Sequence, residues 1–235
     1  MKTGRTIQEM TVEIMRQSKA KQDYLVNTGS LVMEVWDGQP MLHLRDAGGS
    51  ELVDPLDIQS TAHQQIGDYL EIPRKYYRRM LGEDAELLAY NVNRWFQQKP
   101  EQRMIRTMDG RARAFLSNRY RRIDNLDIAT ITLPIIGEMK DVIYASCELT
   151  DDYMYIKAVN PRLTAEVVPG DVVQGGVIIT NSETGHGSVC VQPLIYRLVC
   201  SNGMVVNDAK ARRYHVGRIA STDDDFQIYS QETLD

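Results

Sequence analysis

The dipeptide Asp109-Gly110 constrains this chain more than any other pair of residues, because Asp-Gly between two strand-like runs is a strong signal for a two-residue hairpin turn. It predicts strands over residues 102–108 and 111–116. A two-residue turn sets Met108 against Arg111, Arg106 against Arg113 and Met104 against Phe115, all six on one face by the two-residue side-chain period. The other face then carries Ile105, Thr107, Ala112, Ala114 and Leu116, which are small or apolar and suit a core. Two arginines opposed across strands repel unless something anionic lies between them. No acidic residue of the hairpin falls on that face, so the pattern predicts a bound polyanion there.

The same stretch runs on through a loop carrying Arg119, Tyr120, Arg121 and Arg122, so residues 106–125 hold six arginines. Their setting is uneven in charge. Residues 71–122 carry thirteen Lys/Arg against six Asp/Glu, while the whole chain has a net charge of −5. A positive band on an acidic body is the pattern of a localised anion-binding groove rather than a uniformly basic coat. A solvated charged face would produce the same count. The 235 residues, 43% of them apolar, are enough to bury a sizeable core. Three cysteines without paired spacing, no apolar run of membrane length and no secretion-type N-terminus together predict a cytoplasmic protein with reduced thiols.

Periodicity organises the remainder. Residues 5–22 read as a helix, with Ile7, Met10, Ile14 and Met15 at helical spacing. Asp37-Gly38 marks a second hairpin, between residues 31–36 and 41–44. Asp57 reads as the cap of a helix to about Leu70, and Pro73 as the first-turn proline of a short helix, PRKYYRRML. Those two helices read either as a helix-turn-helix or as packing helices with a snorkelling Lys/Arg face. The packing reading is preferred, since no pattern of base-reading residues stands out. Another helix covers residues 83–98. A further one starts at Asp124 or Asn125, with Pro134 predicted to bend it or end it early. Strands follow at 142–149, 153–160, 172–180 and 188–200. On residues 153–160, Tyr153, Tyr155 and Lys157 share one face, a row able to stack bases and hold phosphate or simply to line the wet side of a strand.

Enzymatic readings are weaker. The four histidines and three cysteines show no zinc-type spacing, and there is no P-loop or dinucleotide fingerprint. A Cys200–His186 nucleophile pair and a nuclease site from Glu148, Asp151, Asp152 and Asp171 are the two catalytic candidates.

Several blocks carry a family resemblance. They are AHQQ at 62–65 through IPRKYYRRM, NVNRW at 91–95, DGRARAFLSNRYRRIDN at 109–125, NSETGHGS at 181–188 and RLVCSNGMV at 197–205. In this order they resemble a family of phage and plasmid proteins that carry a domain of unknown function. Members usually continue into a further helical segment beyond the point where this chain stops. More distantly, the layout of hairpin, helix and antiparallel strands resembles phage single-strand annealing recombinases of the lambda Red-beta type. That resemblance implies rings or filaments that hold DNA along a basic groove without a nucleotide cofactor.

The combined expectation is an α+β fold, a twisted antiparallel sheet with packed helices and an annealing-recombinase-like core. Residues 1–50 form an N-terminal helix-and-hairpin extension, 51–220 the main domain and 221–235 a tail. The expected function is ATP-independent annealing of single-stranded DNA in recombination, with no metal or cofactor, by a homo-oligomer. Its partners are single strands, their annealed duplex, and host or phage recombination proteins. The nucleic-acid contacts are assigned to Arg106, Arg111, Arg113, Arg119, Tyr120, Arg121, Arg122, Tyr153, Tyr155 and Lys157, with no catalytic residue. A non-catalytic protein that binds an acidic host partner is the alternative, and a metal-dependent nuclease the third reading.

Overall fold

The computed structural model describes residues 4–46, 48–197, 203–205 and 211–213. In chain order the helices are α1 (Ile7–Ala20), α2 (Ser60–Tyr69), α3 (Arg74–Glu83), α4 (Ala85–Gln98) and α5 (Asn125–Glu138). The strands are β1 (Lys21–Asn27), β2 (Leu31–Trp36), β3 (Gln39–Leu44), β4 (Leu56–Ile58), β5 (Gln102–Met108) and β6 (Arg111–Ser117). They continue with β7 (Ile143–Leu149), β8 (Met154–Glu166), β9 (Val172–Asn181), β10 (Val189–Arg197), β11 (Gly203–Val205) and β12 (Ala211–Arg213). The fold is mixed α+β, with two sheets rather than the single sheet the sequence suggests. The chain divides into two compact units, Lys19–Tyr120 on one side and Met1–Ser18 with Arg121–Asp235 on the other. Residues 21–44, read from sequence as part of an extension, supply three strands of the first unit's own sheet.

In the unit Lys19–Tyr120 the strand order is β1-β5-β6-β4-β3-β2, antiparallel except for a short parallel pairing of β4 with β6. Both predicted Asp-Gly turns close hairpins here. Asp37 and Gly38 have φ of 49° and 77°, and Asp109 and Gly110 have 51° and 73°. Positive φ at both central positions matches the right-handed twist of the strands they join. Helices α2, α3 and α4 cover one face, burying Ile66, Tyr77, Met80, Leu88, Val92 and Phe96 with Ile105, Ala112 and Phe115 of the sheet.

Side chains of these helices also complete the sheet's backbone pairing. Asn93 of α4 accepts from the Met33 N–H (2.7 Å) and donates to the Met33 carbonyl (2.8 Å), so its amide stands in for a further strand at the β2 edge. Gln65 of α2 accepts from the Phe115 N–H (2.8 Å), beyond the point where β4 stops pairing with β6. Buried or edge backbone groups satisfied in this way neither lose hydrogen-bond energy nor template aggregation. Asp57 is not the cap of α2. It sits in β4, and Gln59 precedes the helix.

In the second unit the order is β11-β10-β9-β8-β7, with β12 also pairing with β10. Helices α1 and α5 bury Met10, Ile14, Ile128 and Ile136 against Cys147, Met154, Ile156, Ala158, Ile179 and Val191 on one face of this sheet. Helix α5 runs through Pro134 to Glu138 instead of ending early. Among the described residues no helix is long and apolar enough to cross a membrane.

Candidate nucleic-acid interface

The predicted arginine face of the hairpin is not a face at all. Met108 does pair with Arg111, but the ladder slips between Arg106 and Thr107, which leaves Arg106 opposite Ala114 and Thr107 opposite Ala112. Arg113 is therefore the extra residue of a β-bulge, and beyond it the alternation of β6 inverts. Met104 now pairs with Leu116, and Phe115 packs into the helix-covered core instead of joining the arginines. Ala114 and Leu116 lie on the other side with Tyr120 and Met104.

The missing counter-charge comes from a strand the local reading did not consider. Asp23 of β1 pairs directly with Arg106, and Arg106 Nε donates to Asp23 Oδ1 at 2.9 Å. Arg106 is 1% exposed and Arg113 2%. Both guanidinium groups are buried, so neither presents the exposed anion-binding face expected of the hairpin. Tyr120 is buried as well.

The remaining predicted residues are spread over both units. In the first, Arg111 is exposed and 3.5 Å from Asp57, and Arg119 is exposed. In the second, Arg122 is exposed and Arg121 half-buried. Tyr153, Tyr155 and Lys157 do share one face of β8, since the residues between them are buried beneath it. Each of the three has an internal partner. The Tyr153 hydroxyl donates to the His186 carbonyl (2.9 Å), Tyr155 packs against Val159, Ile178, Leu194 and Tyr196, and Lys157 Nζ lies 5.4 Å from the Tyr196 ring centroid.

The exposed cations of the first unit gather elsewhere, on α3 and α4. Arg74, Lys75, Tyr76, Arg78 and Arg79 of α3 all face solvent, as do Tyr90, Arg94 and Trp95 of α4. Arg74 makes a two-pronged pair with Asp68, and Arg79 pairs with Glu83. Lys75, Arg78 and Arg94 make no ion pair among the described residues. Tyr90 is 69% exposed, an unusual place for a large aromatic side chain.

What holds α3 outward-facing lies beneath it. Gly67 of α2 lets the Tyr77 ring approach so closely that an added Cβ would come within 2.9 Å of it. Tyr77 and His63 Nδ1 share a buried hydrogen bond of 2.9 Å. Burial pushes the His63 imidazole down to about 4, with Asp57 opposing weakly, and pushes the Tyr77 hydroxyl up. The sequence reading treated this helix as a packing element with a solvated charged face. Its alternation of buried Tyr77 and Met80 with exposed Lys/Arg is that pattern, and the exposed aromatics beside it are what the reading missed.

The motif NSETGHG is a polar knot within the second unit. Asn181, Ser182, Glu183 and Thr184 are each at most 2% exposed. Asn181 Nδ2 donates to the Asn125 side-chain carbonyl (2.8 Å) and the Ile123 carbonyl (3.1 Å). The Asn125 N–H in turn donates to Glu183 Oε1 at 2.7 Å. Glu183 thus places a carboxylate at the N-terminus of α5, where unpaired N–H groups and the helix dipole favour negative charge. Thr184 donates to Asp152 (3.2 Å), and His186 Nε2 lies 3.5 Å from the same carboxylate oxygen. Two sequence blocks far apart in the chain, RRIDN and NSETGHG, are thereby joined.

Cys200 lies outside the described residues, so the Cys200–His186 candidate has no geometry. Glu148, Asp151, Asp152 and Asp171 do not converge: among the described residues no three His, Cys, Asp or Glu side chains are placed to hold a metal ion. Burial raises the Cys147 thiol to about 11, far from a reactive thiolate.

A family model described as a domain of unknown function (DUF932) matches residues 113–227, just under half of the chain. The match begins at the bulge residue Arg113, includes the knot, and leaves out α3 and α4. No curated protein and no solved structure matches the chain.

Proposed function

We propose that this chain binds single-stranded DNA along the exposed face of α3 and α4, and that it anneals complementary strands without a nucleotide cofactor. The observation that carries the reading is the pairing of Lys75, Arg78 and Arg94, without ion-pair partners among the described residues, with the exposed rings of Tyr76, Tyr90 and Trp95 in one unit. The cations neutralise phosphates and the rings stack bases, each stacked base contributing about 1–3 kcal/mol. Backbone-directed contacts of this kind leave base edges free for a second strand. Within the same unit, Arg111 and Arg119 are the members of the expected set that retain an exposed surface for the same role. Arg106 and Arg113 are buried and take no part in the proposed surface.

The test is binding of labelled single strands across a salt series, followed by annealing of complementary oligonucleotides without ATP. Arg78→Ala with Arg94→Ala is expected to flatten the salt dependence of log K by about 0.7 per lost phosphate contact. Tyr90→Ala with Trp95→Ala is expected to weaken binding with little change in that slope. Wild type that binds no single strand defeats the whole proposal. Binding with annealing no faster than the spontaneous rate defeats only its second half. A preference for duplex would turn α3 into the recognition helix of a helix-turn-helix.

A further inference from the structure

We propose that two copies of this chain associate through the outer edge of β8 beyond Asn160, in antiparallel pairing about a two-fold axis at Thr164. Strand β7 stops pairing with β8 at Ile143–Val159, whereas β8 runs on to Glu166. From Thr164 to Glu166 its only strand partner among the described residues is β9, on one side. The ladder is irregular between Asn160 and Thr164, and such irregularities bend and twist a strand away from its neighbour. What remains is an open edge of β8, backed by β9 and, at Gln174 and Val173, by β10 beyond it, and every residue from Arg162 to Gly170 is exposed. Leu163, Val167 and Val168 are 61%, 58% and 57% exposed. An open edge of this kind is a template for another strand.

The sequence of that edge identifies the strand that fits. Arg162-Leu163-Thr164-Ala165-Glu166 is charge-complementary to itself read backwards. Antiparallel pairing about Thr164 sets Arg162 of each copy against Glu166 of the other and Leu163 against Ala165. The contact is isologous, giving two Arg–Glu pairs for one axis. An anionic polymer is a poor alternative occupant, because Glu166 stands on the same edge and Arg162 is already paired with Asp141. Within one copy Arg162 reaches Asp141, and Glu166 accepts from the Gly170 N–H at 2.6 Å. Both members of the Arg162–Asp141 pair are well exposed, and exposed pairs exchange at little cost. The inference stands apart from strand binding, which uses other residues in the other unit.

Light scattering on the full chain, coupled to size exclusion, tests it with a charge exchange. Wild type is expected at twice the chain mass or more. Arg162→Glu alone places two carboxylates against two, and Glu166→Arg alone two guanidinium groups against two. Each variant is expected to weaken association at least tenfold. An equimolar mixture of the two restores opposite charges at both positions, so mixed dimers are expected. As a second measurement, Thr164→Cys is expected to cross-link to itself under mild oxidation, because residue 164 lies on the axis at a spacing a disulfide accepts. Asp171→Cys, beyond the end of β8, is not. A monomeric wild type, single variants that associate as wild type does, a mixture that stays monomeric, or an uncross-linked Thr164→Cys would each overturn the proposal.

Discussion

Hairpin β5–β6 and helix pair α3–α4 lie in the same unit, are both rich in arginine, and dispose of it in opposite ways. On the hairpin, Arg106 and Arg113 are sealed in, and Asp23 from a neighbouring strand compensates Arg106. On the helices, the cations stand in water, as do Tyr76, Tyr90 and Trp95. The difference follows from geometry. Arg106 and Arg113 lie on strands with neighbours alongside and are buried, so Arg106 is paired with Asp23 across the strand ladder, whereas Arg111 at the hairpin's turn stays exposed. A surface helix has one face with no neighbour, and its charges remain available to an outside partner. Arginine density therefore locates basic sequence but not basic surface.

The sharpest way to break that contrast is to remove a buried member. Arg106→Ala leaves Asp23 inside the sheet without the ion pair, so unfolding free energy measured in urea is expected to fall by roughly 3–5 kcal/mol. An unchanged midpoint would mean that the guanidinium is not sealed in as described.

A smaller effect is expected from acid. His63 is buried neutral at about 4 in the folded chain, against an ordinary value of 6.5. Its contribution to stability is present above pH 6.5 and lost as pH falls from there toward 4, because the unfolded chain takes up the proton first. The full loss is about 3 kcal/mol, and His63→Gln is expected to flatten this part of the stability–pH curve. A curve of the same shape in the variant would assign the acid sensitivity to other groups.

The smallest stability effect is expected on the exposed side. Arg78→Ala should move the melting midpoint little, within about 0.5 kcal/mol, while still reducing strand affinity. A destabilisation comparable to that of Arg106→Ala would erase the distinction between the two regions.

Most turns, helices and strands were legible because each rests on local chemistry, β4 being an exception, since its residues were read as the start of α2. Positive φ at Asp-Gly, helical spacing of Leu88, Val92 and Phe96, and alternation at Met154, Ile156 and Ala158 are all set within a few residues. The two-residue turn at 109–110 was legible for the same reason, as was the one pair beside it. Register failed two residues later. A bulge costs a single residue and leaves no mark in the composition, yet it turns every following side chain over.

The fate of the arginines was decided by partners that no local pattern contains. Asp23 lies some eighty positions before Arg106 and reaches it because β1 is the strand beside β5. Glu183 reaches the start of α5 by the same kind of long-range closure. By itself the sequence determined which segments extend, which coil and where they turn, since those are contests between neighbouring dihedrals and side chains. Tertiary structure alone decided which charges are covered, because burial and ion pairing depend on what the rest of the chain brings alongside.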